Sequence, residues 1–261
     1  MPEIAIATEK LTRRFGELIA VDGVDLEVES GQFFGFLGPN GAGKSTTIKM
    51  LTGLLVPTAG RMSLLGVDFA SHPIEVKRQI GVVPEGMGLF ERLTGPEYLE
   101  FVGRMYGLDR PTTRKRSEEL LEFMQLSDRA KTLIADYSHG MQKKLALAAA
   151  VIHGPRILFL DEPVEGVDAL AAGSLKALLA RMTDRGVTIF LTSHVLEIVE
   201  RLCSHVAIIK KGKLVAQGSI EQLRSGVAGA EGRTSTLEDI FLSVVGEGLD
   251  RPQIEELSWL T

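Results

Sequence analysis

The residues with the clearest chemical meaning form one glycine-rich run that fits the pattern GxxxxGK[ST]. The run reads Gly38-Pro39-Asn40-Gly41-Ala42-Gly43-Lys44-Ser45-Thr46. Glycines let the backbone curl so that successive N–H groups point at phosphate oxygens, and the positive end of a helix dipole adds to the attraction. In this pattern the lysine reaches the β- and γ-phosphates of a nucleotide, and the first hydroxyl residue binds Mg²⁺. The run predicts a nucleotide phosphate site in which Lys44 and Ser45 have these roles.

The segments on either side of this run are the ones that a phosphate-binding loop requires. Residues 33–37 are almost wholly apolar and predict a short buried strand. Apolar residues then recur at helical spacing from Ile48 to Leu55, and we expect Pro57 to end that helix. Strand, loop and helix in this order separate the run from a glycine-rich turn with a chance lysine.

Two carboxylates and a histidine follow later segments of strand character. Residues 157–160 are apolar and end in Asp161 and Glu162. Because ligands collect at the carboxyl ends of parallel strands, we expect Asp161 to hold Mg²⁺ through water and Glu162 to polarise an attacking water. His194 follows a second buried strand at 187–192 and could reach the γ-phosphate from there. A surface acid pair and a structural histidine are the alternatives.

The segment from Tyr137 to Gln142 opens a helix. Ser138 is a good N-cap residue, and Gly140 keeps the first turn open, so that free backbone amides face outward. This arrangement predicts an anion site at a helix N-terminus, and an ordinary capped helix is the alternative.

Taken in order, these four groups resemble the ATP-binding cassette (ABC) ATPases, specifically the nucleotide-binding subunits of transporters, over roughly residues 4–220. The resemblance implies these matches: Walker A at Lys44 and Ser45, Walker B at Asp161, the catalytic glutamate at Glu162, the switch histidine at His194 and the D-loop at residues 165–168. It also implies that Phe15 stacks on adenine, although a phenylalanine before Gly16 could instead belong to the core.

The resemblance matches Ser138 and Gly140 to the signature motif LSGGQ, which in this family contacts the γ-phosphate of ATP bound by the opposite subunit. Residues 137–141 read YSHGM, similar to the YSxGM variant of a subfamily of drug-resistance and efflux-type ATPases. Because the serine and the second glycine remain, we expect the function of the motif to remain.

Two further positions depart from the family pattern. Glu85 replaces the Q-loop glutamine, and Glu165 stands where the D-loop commonly has a serine. A carboxylate at residue 85 can still bind Mg²⁺ or water, so the expected metal ligands are Ser45, Glu85 and Asp161. It also adds a negative charge beside the phosphates, a departure that bears on metal affinity and on coupling to a membrane partner.

The resemblance and the patterning together predict an α/β fold: a P-loop NTPase core of mainly parallel sheet, an N-terminal antiparallel β subdomain and an inserted helical subdomain. We expect the ATPase domain to span residues 1–220, with the helical subdomain at about 88–153. A short helical extension at 221–261 then contains a capping box formed by Thr236 and Asp239. Its helix either covers the core or matches the terminal helix of the efflux-type subfamily. Further strands are expected at 3–8, 21–29, 61–65 and 79–83, with a hairpin around Lys211-Gly212.

Composition narrows the class of protein. The chain has 261 residues, of which 44% are hydrophobic and 24% charged, as in ordinary globular domains. A net charge of −5 argues against a nucleic-acid-binding surface. The single cysteine, Cys203, excludes an intramolecular disulfide and is expected in the core. With no signal peptide and no long apolar span visible, we expect a cytosolic chain that reaches a membrane only through a partner.

The resemblance implies a subunit that binds ATP and Mg²⁺ and hydrolyses ATP to power an integral membrane permease from the cytoplasmic face of the membrane. Each chain carries half a site, so catalysis implies a head-to-tail dimer, for which a second copy of this chain is the preferred partner over a different ATPase subunit. The YSxGM variant and the terminal helix favour export over import. The transported substrate is selected by the permease and is not specified by this sequence.

Three other classes are possible for a phosphate loop of this kind. A cassette ATPase acting on nucleic acid or ribosomes usually carries two cassettes, coiled-coil insertions or basic arms, and none is visible in the sequence. A P-loop kinase would have an arginine-rich lid and would lack a segment like Tyr137–Gln142. A purely regulatory nucleotide-binding module is disfavoured by the presence of both Glu162 and His194.

Overall fold

A computed structural model of the chain describes residues 3–163, 169–226 and 236–246. The strands in these ranges are β1 (Ile4–Phe15), β2 (Leu18–Glu29), β3 (Phe33–Leu37), β4 (Ala59–Leu64), β5 (Val67–Asp68), β6 (Ile80–Val83), β7 (Ile157–Asp161), β8 (Thr188–Ser193), β9 (His205–Lys210) and β10 (Lys213–Ser219). The helices are α1 (Lys44–Leu51), α2 (Pro73–Gln79), α3 (Gly95–Met105), α4 (Arg110–Phe123), α5 (His139–Val151), α6 (Ala169–Asp184), α7 (Leu196–Leu202), α8 (Ile220–Gly226) and α9 (Leu237–Val245).

The larger sheet has the strand order β10-β9-β3-β8-β7-β6. Its neighbours pair in parallel except for the β9–β10 hairpin. Because β3, β8, β7 and β6 run in the same direction, the segments that follow them meet at one edge of the sheet. That edge is where the phosphate loop, both carboxylates and the histidine are expected.

The smaller sheet is antiparallel, with the order β2-β1-β4-β5. β1 and β2 form a hairpin in which Phe15 pairs with Leu18. Gly16, in the turn between them, has φ +56°, a left-handed conformation that glycine adopts without steric cost. The hairpin therefore presents Phe15 and Leu18 at its tip.

The two faces of β3 pack in different hydrophobic cores. Its residues are buried on both faces, as expected for a central parallel strand. Phe34 and Phe36 pack with Phe190 at ring-centroid distances of 5.7 and 5.4 Å, in a core that α1 shares with the smaller sheet. On the opposite face, Phe33 and Leu37 join the core formed with α5, α6, α7 and α9. Helix α1 is thus held between the two sheets.

The helical block lies between β6 and β7 in sequence and comprises α3, α4 and α5. Helix α3 starts with a capping box in which Thr94 and Glu97 bond reciprocally, and Asp109 caps α4 through a bond from the Thr112 amide. Leu99 and Leu145 are fully buried where the helices pack together. The block is therefore anchored to the core through α5.

The predicted α/β fold is confirmed, with its mainly parallel sheet, N-terminal antiparallel sheet and inserted helices. The predicted end of the first helix at Pro57 is wrong. Helix α1 ends at Leu51, and Gly53 follows with φ +69°. The exposed Leu54 extends the apolar spacing without extending the helix. The proposed domain boundaries remain predictions.

The described part of the C-terminal extension contains α8 and α9. Thr236 and Asp239 form the predicted capping box, and Leu237 and Ile240 of α9 are buried in the core that α7 shares. Cys203 is buried as predicted. Within the described ranges, no helix combines the length and apolar character needed to cross a membrane.

Candidate nucleotide-binding site

The glycine-rich loop leaves β3 and enters α1 directly, as its flanking residues predict. Gly43 precedes the helix at φ +113°, and a Cβ atom there would lie 2.5 Å from the carbonyl oxygen of Ala20. A Cβ on Gly38 would lie 2.4 Å from the carbonyl oxygen of Ile209. The loop therefore needs glycine at both positions, and the first-turn amides of α1 face the space that the loop encloses.

Lys44 is the first residue of α1 and is 7% exposed. Its Nζ donates to the Gly38 carbonyl at 2.8 Å and to the Pro39 carbonyl at 3.4 Å. A buried ammonium group requires such partners. The loop thus holds a positive charge beside its own amides, a combination suited to polyphosphate.

Ser45 and Asp161 are 116 positions apart in sequence and meet at the sheet edge. The Ser45 hydroxyl donates to Oδ1 of Asp161 at 3.4 Å. Thr192 also donates to this oxygen, at 2.5 Å, because Asp161 and Thr192 are partners in the β7–β8 register. Asp161 is 4% exposed, so its orientation is fixed by these two hydroxyls.

The chemistry of this donor set fits Mg²⁺, which favours oxygen ligands and usually keeps several water or phosphate oxygens in its shell. The side-chain oxygens of Ser45 and Asp161 lie side by side, and Glu85 lines the same cavity as Ser45. No group of three or more His, Cys, Asp or Glu side chains placed to hold a metal occurs in the described ranges. A cation here would therefore depend on oxygens of the bound nucleotide and of water.

Glu162 and His194 form a contact pair at the ends of β7 and β8. His194 Nδ1 lies 3.1 Å from Oε1 of Glu162. This contact places Nδ1 beside the carboxylate, and Nε2 is the ring nitrogen that remains for another partner. Glu162 is 8% exposed, whereas the histidine side chain is 47% exposed. The pair thus joins a buried base to a partly solvent-facing imidazole.

These side chains surround one cavity of about 570 Å³. It is lined by Phe15, Leu18, Ala20, Asn40, Gly41, Gly43, Lys44, Ser45, Thr46, Glu85, Glu162 and His194. The structure therefore brings together most of the predicted site residues. Gly38, Pro39 and Ala42 lie in the same loop without lining the cavity, and Asp161 joins it through Ser45.

Phe15 stands at the mouth of the cavity with 44% of its surface exposed. The Arg13 guanidinium carbon lies 4.6 Å from the centre of the Phe15 ring, and Arg13 Nη1 donates to the Val56 carbonyl at 2.7 Å. Arginine thus covers one face of the ring by a cation–π contact. The exposed, cavity-lining position argues against the alternative of a core phenylalanine.

Ser138 and Gly140 are not among the residues that line this cavity. Ser138 is exposed and caps α5 by accepting a bond from the Met141 amide at 3.3 Å, whereas Gly140 is buried. The N-cap prediction is confirmed, and the start of α5 is a separate exposed element. The D-loop prediction at residues 165–168 lies outside the described residues.

Thr192, Leu18 and Ala20 belong to the site but were not predicted. Thr192 is a fully buried strand residue, and its link to Asp161 depends on strand register, which no local pattern reveals. Leu18 and Ala20 reach the cavity because they follow Phe15 around the hairpin. For Leu18 and Ala20, the only signal in the sequence is a hairpin tip combined with the GxxxxGK[ST] loop.

Comparison with known proteins settles the family of this site. The sequence model of the family described as ABC transporter matches residues 21–165, which is more than half of the chain. The chain belongs to the ABC transporter family. It is an ATPase that binds ATP, and it is the nucleotide-binding subunit of a transporter.

Individual members resemble this ABC ATPase over most of its length. The linearmycin resistance ATP-binding protein LnrL of Bacillus subtilis (strain 168) is 36% identical over 224 residues, covering 86% of this chain and 72% of LnrL. The Nod factor export ATP-binding protein I of Ralstonia nicotianae is 39% identical over 218 residues, covering 84% of this chain and 68% of that protein. A solved ATP-binding subunit of an ABC transporter has a TM-score of 0.84 at 30% identity, covering 92% of this chain and 99% of its own.

Proposed function

We propose that this ABC ATPase powers the export of a substrate through a separate membrane permease, and that two copies of the chain form its pair of catalytic sites. One observation carries the proposal. Lys44, Glu162 and His194 line one cavity, whereas Ser138, the match to the motif that contacts γ-phosphate, is exposed elsewhere on the same chain. A site divided in this way requires a second chain.

Binding of the nucleotide rests on the loop and on Phe15. The Lys44 ammonium and the first-turn amides of α1 neutralise phosphate charge, while the exposed face of Phe15 stacks on adenine. The residues assigned to phosphate contacts are Gly38, Pro39, Asn40, Gly41, Ala42, Gly43, Lys44, Ser45 and Thr46. Phe15 thus provides affinity for the adenine base, and the loop provides affinity for the phosphates.

Glu162 is proposed as the general base that orients and deprotonates the attacking water. Its carboxylate lies in the cavity, and the Nδ1 contact from His194 limits its rotation. His194 also lines the cavity, and an imidazole protonated on both nitrogens could donate from Nε2 to a γ-phosphate oxygen while Nδ1 stays beside Glu162. The pair holds the proton acceptor and a charge-stabilising donor in a fixed relation.

Mg²⁺ is proposed as the metal of the site, held by the Ser45 hydroxyl, Asp161 and Glu85. When bound, it neutralises charge on the phosphates and on the leaving group. Thr192 and Ser45 fix the Asp161 carboxylate for this purpose. Glu85 contributes a carboxylate where the family pattern has an amide, which raises the negative charge of the metal site.

The helical block is proposed to receive a cytosolic helix of the permease. Aromatic and apolar side chains are exposed on α3 and on the segment just before it: Phe90 is 50% exposed, Phe101 43% and Met105 71%. The ring centroids of Phe90 and Phe101 lie 5.2 Å apart. Both residues follow Glu85 in sequence, Phe90 by five positions. Docking there would link the permease to the cavity through the Glu85 segment and would place the chain on the cytoplasmic face of the membrane.

Export rather than import is supported by the relatives. LnrL is named for resistance to linearmycin and the Ralstonia protein for export of Nod factor. Nothing in these relatives favours the alternative of a cassette acting on nucleic acid. A homodimer is proposed because one chain contains both the nucleotide cavity and the signature motif at the start of α5.

The substitution Glu162→Gln tests the proposed function. It removes the base while keeping the shape of the side chain, so ATP binding should remain within about threefold of wild type while turnover falls by about 10²-fold or more. ATPase activity is measured with the permease present, and binding is measured by calorimetry. Undiminished turnover in this variant would overturn the assignment of Glu162.

A further inference from the structure

Lys143 is a buried lysine that the nucleotide site does not account for. It lies on α5, five residues after Ser138, and is 6% exposed. Its Nζ donates to the backbone carbonyl of Glu162 at 3.0 Å. Burying an ammonium group is costly unless it is bonded, so this lysine is held in place by its partners and in turn restrains them.

The backbone of Glu162 is in a conformation that needs such support. Its φ is +51°, in the left-handed region that a residue with a side chain adopts at a cost. Its amide donates to the Thr192 carbonyl at 3.2 Å, and its carboxylate meets His194 at 3.1 Å. The amide and the carboxylate are thus held from the end of β8, and Lys143 of α5 holds the carbonyl.

We propose that Lys143 is a positioning residue that fixes the backbone of Glu162 and thereby aims its carboxylate. The inference rests on the proposed role of Glu162 as the base. Ser138, which is assigned to the nucleotide of the opposite subunit, caps helix α5, and the same helix carries Lys143. A displacement of α5 when its start engages that nucleotide reaches Glu162 through the Lys143 bond.

The test compares Lys143→Met and Lys143→Arg with the matched control Lys144→Met. Lys144 is 9% exposed, adjoins Lys143 on α5 and makes no hydrogen bond to Glu162 in the described residues. We expect Lys143→Met to lower kcat by about tenfold and leave the KM for ATP within about twofold, because the base is misplaced while the phosphate loop is intact. Lys143→Arg keeps a donor and should recover most of kcat, and Lys144→Met should match wild type.

A nucleotide-free measurement supports the kinetic one. Hydrogen–deuterium exchange at the Glu162 amide should become faster in the Lys143→Met variant and stay unchanged in the Lys144→Met variant, because only the first loses the bond that restrains the backbone of Glu162 on its carbonyl side. Unchanged exchange, an equal loss in both variants, or a loss of ATP affinity parallel to kcat would overturn the positioning role. The Glu162→Gln variant separates the role of Glu162 from the role of Lys143. If Glu162→Gln still turns over ATP, the proposed function is refuted. If Glu162→Gln loses turnover while Lys143→Met keeps full turnover, only the positioning role of Lys143 is refuted.

Discussion

Replacing Phe15 by alanine should weaken ATP binding through the adenine base alone. The ring lines the cavity mouth, and Arg13 covers one of its faces, so a single face is left for a base. Stacking of a base on an aromatic side chain is worth about 1–3 kcal/mol. Because Phe15 is already 44% exposed, we expect the middle of that range. A loss of about 1.5–2 kcal/mol corresponds to a roughly 10- to 30-fold rise in the Kd for ATP.

Calorimetric titration with two ligands isolates the base. ATP and inorganic tripolyphosphate carry similar phosphate charges, and only ATP has an adenine to stack. The Phe15→Ala variant should lose about 10- to 30-fold in affinity for ATP and less than about twofold for tripolyphosphate. Phe15→Trp should bind ATP at least as well as wild type, since it retains an aromatic face.

Phe90→Ala is the matched control, because Phe90 is similarly exposed but lies just before α3, outside the cavity. It should leave both affinities unchanged. If Phe15→Ala weakens tripolyphosphate as strongly as ATP, the ring supports the fold of the loop and not the base. If it weakens neither ligand, the stacking assignment is wrong.

Two other substitutions probe charge at separate places. Burial lowers the pKa of His153 to about 4, and its Nε2 lies 3.0 Å from the Ile80 carbonyl oxygen. Between about pH 4 and 6.5 the histidine therefore binds a proton in the unfolded chain but not in the folded one. The free energy of unfolding then falls as pH falls through that window. His153→Gln, followed by urea denaturation, should remove a loss of about 1–2 kcal/mol at about pH 5, and parallel pH curves for the two proteins would contradict this cause. Glu85→Gln removes one negative charge from the cavity that Lys44 also lines, so metal-free ATP should bind about two- to fivefold more tightly and half-maximal activity should need more Mg²⁺. An unchanged Mg²⁺ requirement would remove Glu85 from the metal site.

The loop, the carboxylates and the histidine could be predicted because their signals are local. Each of them follows a short apolar run, and the parallel arrangement brings the ends of β3, β7 and β8 to one edge. The sequence spacing does not show which distant residues lie together, whereas the strand order does. It places Ser45 beside Asp161, although the two are 116 positions apart. Parallel pairing thus turns separate local patterns into a single site.

Elements whose sequence signal is weak could not be predicted in this way. Helix α2 (Pro73–Gln79) has seven residues, of which only Val76 is buried, so it shows no amphipathic period. Strand β1 extends to Phe15, well beyond the expected 3–8, because register shifts break the alternation of apolar and polar residues after Thr8. That extension is what carries Phe15 to the cavity.

Contacts between buried polar residues were also invisible in the sequence. Thr192 looks like any β-branched strand residue until the register pairs it with Asp161. Lys143 lies in a mixed basic and apolar helix, and only the approach of α5 to the end of β7 reveals its bond to Glu162. Such residues are set by tertiary packing, which local propensity does not encode.

The central claim is that the site is completed by a second copy of this chain, and the mass of the Glu162→Gln protein tests it most directly. Light scattering during gel filtration should give a dimer in the presence of ATP and Mg²⁺ and a monomer without ATP, because bound nucleotide joins the loop of one chain to the Ser138 helix of the other. Adding Ser138→Glu should abolish the dimer without lowering ATP affinity, since it places a negative charge against the phosphates. A protein that is saturated with ATP and remains monomeric, or that dimerises equally well with Ser138→Glu, would contradict the account.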